Sequence, residues 1–187
     1  GREPIGPASI AAGIDYIRQT PAVKEVILSG GDPLMMEDAV LFSILNRLKK
    51  IAHVALIRIH TRIPGMLPHR ITKKLAGGLA RFHPVYINIQ FNHPDEMTPA
   101  ARQACARLAD AGIALGSQTV LLAGVNDDAE TMTCLMRKLL ASRIRPYYLH
   151  HPDPVRGTAH FRVPLETGLG VMEALRGQIG GMGVPQY

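Results

Sequence analysis

Tryptophan is absent from these 187 residues, and phenylalanine and tyrosine together number only nine, four and five respectively. A stacking platform for nucleic acid draws on exposed aromatics interleaved with basic residues. Here the basic residues are scattered, in short groups such as Arg47–Lys49–Lys50 and Lys73–Lys74. The excess of 21 Lys+Arg over 15 Asp+Glu therefore points to solvated helix faces with some attraction for anions. Cysteine is scarce too. Cys105 and Cys134 stand alone, with no CxxC and no Cys/His zinc spacing, which excludes a disulfide scaffold. No apolar run approaches the ~18 residues of a membrane span, and nothing resembles a signal peptide. A Walker loop, a GxGxxG and a nucleophile beside a base are all missing. The hydrophobic share of 47% excludes a disordered chain. The expectation is one soluble, cytoplasmic domain over residues 1–187, with no nucleic-acid or membrane partner. Residue 1 is glycine, and the chain stops at Val184-Pro185-Gln186-Tyr187 without a helix-ending signal. Both ends are expected to be cut from something longer.

What is present is a regular beat. Short β-branched runs alternate with helical patterns, and the strands are expected at Lys24–Leu28, Val54–Ile59, Val85–Phe91, Leu115–Leu122 and Ile144–Leu149. Their starts step by 54 − 24 = 30, 85 − 54 = 31, 115 − 85 = 30 and 144 − 115 = 29 residues. That matches the ~250 residues of a (β/α)8 barrel divided over eight units. Helices are expected at Ala8–Gln19, Asp38–Ile51, from Thr72, from Thr98-Pro99, from Asp127 or Asp128, and over Pro164–Gly177. Val26, Ile27 and Leu28 should be buried, as should Val40, Ile44, Leu45, Leu48 and Ile51. Met35-Met36 should fill core gaps. Right-handed crossovers make the five strands parallel, an α/β partial TIM-like (β/α) barrel with two edges to cover. An open doubly wound sheet is the alternative.

Polar residues follow each strand in turn: Ser29-Gly30-Gly31-Asp32, His60-Thr61-Arg62, Asn92-His93, Gly124-Val125-Asn126-Asp127 and His150-His151-Pro152-Asp153. The C-terminal rim of parallel strands is the ligand face of such folds. Two glycines let the Ser29–Asp32 backbone approach a ligand and aim N–H groups at an anion, or Asp32 simply caps the next helix. Arg62 and Arg70 can clamp a carboxylate or phosphate, or pair with a neighbouring helix. Asp153, between two prolines, can receive a substrate ammonium or form a turn. Gln90 and Gln118 lie inside strands, where a buried amide must find partners. His150 and His151 are adjacent on a strand and face opposite ways, which argues against a shared metal. Residue chemistry reaches a barrel-like enzyme core with an anion-binding rim.

The longer words go further. VILSGGDPL, RIHTRIPGMLPHRIT, FNHPDEMT, GSQTVLLAGVND and RPYYLHHPD, in this order over Ile14 to Pro185, resemble the lysine 2,3-aminomutase family of radical S-adenosylmethionine (SAM) enzymes. The resemblance implies five parallel βα units of a (β/α)6 radical SAM core. It implies three cofactors, SAM, a 4Fe–4S cluster and pyridoxal 5′-phosphate (PLP), and an isomerase chemistry. In that chemistry a 5′-deoxyadenosyl radical takes a β-hydrogen from lysine, the α-amino group moves to the β-carbon, and hydrogen return gives β-lysine.

By the same resemblance, Ser29, Gly30, Gly31 and Asp32 meet the amino-acid end of SAM, and Gln118 and Gln90 lie near its nucleoside. Gln90 stands where the family often has histidine. Asp153 faces the side-chain ammonium of lysine, and His150 and Arg62 face substrate or PLP. The family's CxxxCxxC cluster motif belongs upstream of Gly1 and its PLP lysine downstream of Tyr187. No metal ligand or covalent catalytic residue is therefore expected in this chain, and alone it should neither assemble a cluster nor isomerise lysine. The expected partner is the small-molecule amino acid. Lysine handling for elongation factor P, a glutamate-type aminomutase, a non-catalytic SAM-binding remnant and a homo-oligomer stand as alternatives.

Overall fold

The computed structural model describes residues 6–187; residues 1–5 of the expected single domain lie outside them. Five strands form one parallel sheet: β1 (Glu25–Leu28), β2 (Leu56–Thr61), β3 (Val85–Gln90), β4 (Ala114–Val120) and β5 (Arg145–His150). The helices are α1 (Pro7–Gln19), α2 (Asp38–Lys49), α3 (Ile63–Met66), α4 (Lys73–Ala80), α5 (Pro99–Asp110), α6 (Ala129–Ala141) and α7 (Leu165–Gln178). The strand order is β1-β2-β3-β4-β5. A doubly wound sheet reverses its order at a switch point. This order never reverses, so crossovers of one hand put the connecting helices on one face of the sheet. That is a stretch of barrel wall, and it decides against the doubly wound alternative.

Local chemistry accounts for the helix starts. The Thr72 hydroxyl accepts from the Leu75 N–H, Thr98 from Ala101, and the Asp128 carboxylate from Thr131, each satisfying an orphan donor of the first turn. Strand β2 begins two residues later than expected, because the Val54 N–H closes a turn onto Ile51. It ends two later as well, since His60 and Thr61 stay paired with Asn88 and Ile89.

The core lies between the sheet and its helices. Ile57, Ile59, Val85, Ile87, Ile89 and Leu115 point into it from the strands. From the helices come Leu41, Leu45 and Leu48 of α2, Leu75 and Leu79 of α4, Leu108 of α5, and Met132, Leu135 and Met136 of α6. Three residues expected in the core are not there. Ile27, 43% exposed, alternates with buried Val26 and faces away from the helices. Val40 is 47% exposed because the stripe of α2 runs through Leu41 instead. Met35 is also exposed, at the end of a single 3-10 turn (Pro33–Met35).

Two irregularities shape the far end of the sheet. The β4–β5 register slips between Ser117 and Gln118, leaving Tyr147 as an extra residue after Pro146, which has no N–H to donate. Beyond α7, Gln186 bridges to Tyr148 in parallel: the Leu149 N–H donates to its carbonyl at 2.9 Å, and its own N–H donates to Tyr147 at 3.0 Å. The chain end thus starts a further parallel strand beside β5 and covers part of that edge.

The ends of β3 and β4 are tied by side chains. Asn126 is 0% exposed. Its amide donates to the carbonyls of Asn92 (2.7 Å) and Val120 (2.9 Å) and accepts from the Leu122 N–H (2.7 Å). Asn92 accepts from the Val120 N–H at 3.0 Å, and the Thr119 hydroxyl donates to the Phe91 carbonyl at 2.7 Å. Replacing Asn126 by alanine leaves three half-buried backbone groups without this partner, so Asn126→Ala is expected to cost about 2–4 kcal/mol in urea unfolding. A loss below about 0.5 kcal/mol, the scale of an ordinary surface change, would contradict this bolt.

Candidate functional site

Because the strands are parallel, their C-terminal ends share one edge of the sheet. Ser29–Asp32 follow β1, Arg62 follows β2, Gln90 ends β3, Gln118 lies within the last turn of pleat of β4, His150 ends β5 and Asp153 follows it. All nine residues singled out from the sequence therefore lie at or beside one rim.

The Ser29–Asp32 turn is bent sharply. Gly30 and Gly31 have φ of +79° and +56°, and Asp32 follows at 39°. Glycine adopts these angles without the Cβ clash that other residues meet. A Cβ built on either glycine would find nothing within 4 Å, so the turn opens onto free space. Asp32, in contrast, turns inward. Its carboxylate accepts from the Arg62 N–H (2.6 Å), the Thr61 hydroxyl (2.7 and 3.0 Å) and the Leu34 N–H (3.1 Å). The capping alternative for Asp32 is the one realised, and its carboxylate does not face the rim as a free ligand.

Arg62 reaches along the rim. Its guanidinium meets Glu96 at 3.4 Å, and the other oxygen of Glu96 accepts from the Asn92 N–H at 2.8 Å. Thr61 and Glu96 are site residues that the sequence reasoning passed over. Thr61 stood in the right cluster, but a hydroxyl carries no signal of its own. Glu96 lies in the 3-10 turn Pro94–Glu96, outside any expected element. Arg70 follows its bland alternative, pairing with Asp38 of α2 and the Met36 carbonyl, both at 2.7 Å.

Gln90, Gln118 and Tyr148 form one row across β3, β4 and β5 on the helix-free face. Both glutamine amides are half-buried, and neither is hydrogen-bonded to protein among the described residues. The partners expected for them inside the strands are thus not found among the described residues. His150 is exposed, its ring 5.3 Å from that of Tyr148. Asp153 is exposed as well, and its carbonyl accepts from the Val155 N–H in a turn.

One row below, His60 and Asn88 approach at 3.4 Å. Burial, aided by the Arg58 guanidinium, holds the His60 imidazole below its ordinary pKa, with Glu25 opposing. Arg58 pairs with the Glu25 carboxylate. These two residues, with Tyr86, Tyr147, Arg145 and Met182, line a cavity of about 830 Å³ at the opposite, N-terminal end of the strands. This hollow is the floor of the wall, away from the rim.

The rim residues suit SAM: an open glycine turn offers N–H groups to a carboxylate, and two unpaired amides stand in one row. They do not suit an iron–sulfur cluster. No three His, Cys, Asp or Glu side chains converge as a metal site among the described residues. Cys105 is buried in α5, its thiol pushed up to about 12 by burial, and Cys134 is exposed on α6. No described helix is long and apolar enough to cross a membrane.

Order of strands, one-sided helices and a polar C-terminal rim define a partial (β/α) barrel. A radical SAM methyltransferase from Sphaerobacter thermophilus has this fold, at a TM-score of 0.60 and 19% identity over 96% of this chain and 55% of its own. In sequence the chain is 48% identical over 174 residues (93% of it) to an L-lysine 2,3-aminomutase of Fusobacterium nucleatum, and 45% identical over 180 residues (96%) to a glutamate 2,3-aminomutase of Clostridioides difficile. It spans 41% and 43% of those relatives' lengths. No protein-family model matches. Over the stretch it shares with them, the chain is similar to 2,3-aminomutases of lysine and of glutamate.

His60 gives this site a pH signature. Its pKa is lower folded than unfolded, so below the ordinary value of ~6.5 the unfolded chain takes up the proton first. The stability it contributes is complete above that value and is lost as pH falls toward the folded pKa. In an NMR titration His60 should show a midpoint below ~6.5; a midpoint above it would contradict the environment described.

Proposed function

We propose that the protein carrying this chain is a lysine 2,3-aminomutase, an isomerase that moves the amino group of lysine from its α- to its β-carbon, and that residues 1–187 form one unit of its radical SAM core. The observation that carries it is the 48% identity to a lysine 2,3-aminomutase over 93% of the chain, joined to a rim whose polar groups face open space. When bound, SAM, a reduced iron–sulfur cluster and PLP supply a carbon-centred radical and a π-system that delocalises the unpaired electron. No residue described here is assigned to the cluster or to a covalent bond with PLP.

The chain's own groups bind and orient. Backbone N–H groups of Ser29, Gly30 and Gly31 hold the carboxylate end of SAM, and the amides of Gln118 and Gln90 take hydrogen bonds from its nucleoside. Arg62, fixed by Glu96, and His150, beside Tyr148, border the space for substrate and PLP. Asp153 receives the side-chain ammonium. That last assignment favours lysine over glutamate, because a second carboxylate in the same place would be repelled. Elongation factor P, a homo-oligomer and a non-catalytic remnant gain no support from the rim.

Asp153→Asn keeps the shape of the side chain and removes its charge. In the whole protein it should raise the KM for lysine roughly 30-fold, the lower end expected for truncating a charge pair, because Asp153 is exposed and well solvated. Formation of 5′-deoxyadenosine from SAM should survive, since SAM is held elsewhere. An unchanged KM would leave Asp153 as a turn-former and overturn its assignment.

A further inference from the structure

We propose that Thr61 is a positioning residue for the SAM turn, acting through Asp32 rather than by contact with the ligand. This rests on the SAM assignment above and adds to it a residue on a different strand.

The geometry is complete on both sides of the hydroxyl. Thr61 is 2% exposed at the end of β2, with no route to a ligand in the open space of the rim. Its hydroxyl has one proton to donate and donates it to the Asp32 carboxylate at 2.7 Å. The same oxygen accepts from the Ile63 N–H at 3.0 Å, satisfying a donor at the start of α3. Asp32 then has one carboxylate oxygen shared between Thr61 and Leu34, and the other against the Arg62 N–H.

The consequence is mechanical. Asp32 sits at a φ of 39°, a strained angle for a residue with a Cβ, and its side-chain bonds to neighbouring backbone are what hold it there. Gly30 and Gly31, which precede it, have no side chains and no contact of their own within 4 Å of a notional Cβ. On its C-terminal side the turn is anchored by Asp32, whose carboxylate is held by Thr61, Arg62 and Leu34. The same carboxylate also holds the Arg62 N–H, so the turn after β1 and the arginine after β2 are set by one group.

A ligand-binding Asp32 and a bolted Asp32 predict different mutants. For a bolt, Thr61→Val and Asp32→Asn weaken SAM binding in the same direction, each by ~10-fold, the scale of one lost hydrogen bond. The double variant loses no more than the worse single one, because both remove the same tie. Thr61→Ser keeps the hydroxyl and retains affinity. If Asp32 bound SAM directly, Thr61→Val would leave affinity within about twofold while Asp32→Asn lost it.

The test is equilibrium binding of SAM to the anaerobic whole protein and to these variants, alongside amide hydrogen exchange of the ligand-free forms. Thr61→Val should speed exchange at Ile63 and Arg62, whose N–H groups lose their acceptor or its anchor, and Thr61→Ser should not. Normal SAM affinity in Thr61→Val, unchanged exchange at those amides, or equal losses in the Ser and Val variants would each overturn the proposal. A wild type that binds no SAM would overturn the functional assignment instead, and exchange at Arg62 and Ile63 would still decide the bolt.

Discussion

The carboxylate of Asp32 is where the chemistry of the rim and the stability of the wall meet. Parallel strands end with backbone groups that have no further ladder partner, and every such end near a ligand site must be satisfied by something. Between β1 and β2 that something is Asp32, which accepts from a side chain and two backbone N–H groups drawn from both strand ends. Between β3 and β4 the same task falls to Asn92, Asn126 and Thr119. Glu96 joins the two halves, accepting from Arg62 on one side and from the Asn92 N–H on the other. Much of the polar decoration after the strands therefore holds the rim in place, and the groups left over are the ones that can bind.

Those leftovers have a consistent character. Among the described residues, the side chains of Gln90, Gln118, His150 and Asp153 have no hydrogen-bond partner and the Gly30-Gly31 turn faces open space, and all lie toward the C-terminal ends of the strands. The floor differs. There Arg58 is paired with Glu25, and Tyr86, Tyr147 and Met182 share the lining with Arg143 and Arg145.

The thirty-residue beat made the architecture legible, because each βα unit must bury one strand and one helix stripe and so repeats its apolar pattern. Boundaries were less so. β2 extends through His60 and Thr61, polar residues that pairing with β3 holds in the ladder. Ile27 reads as a core residue from its side chain alone, yet an open wall has a face that no helix covers. The rim location of Ser29–Asp32, Arg62, Gln118 and Asp153 followed from topology. The inward turn of Asp32 did not, since it depends on Thr61, about thirty residues away in sequence and adjacent only once β1 and β2 pair. Glu96 was hidden for the same reason. Its use is set by two partners that the fold brings to it.

The central claim is that SAM lies on the C-terminal rim, held by the Gly30-Gly31 turn and the Gln118 row. A crystal structure of the whole protein with SAM tests it most directly. The account predicts the methionine carboxylate of SAM against the Gly30 and Gly31 N–H groups, with Gln118 on its nucleoside side and Asp32 still bonded to Thr61. SAM seated instead in the 830 Å³ floor cavity, between Arg58, Tyr86 and Tyr147, would contradict it.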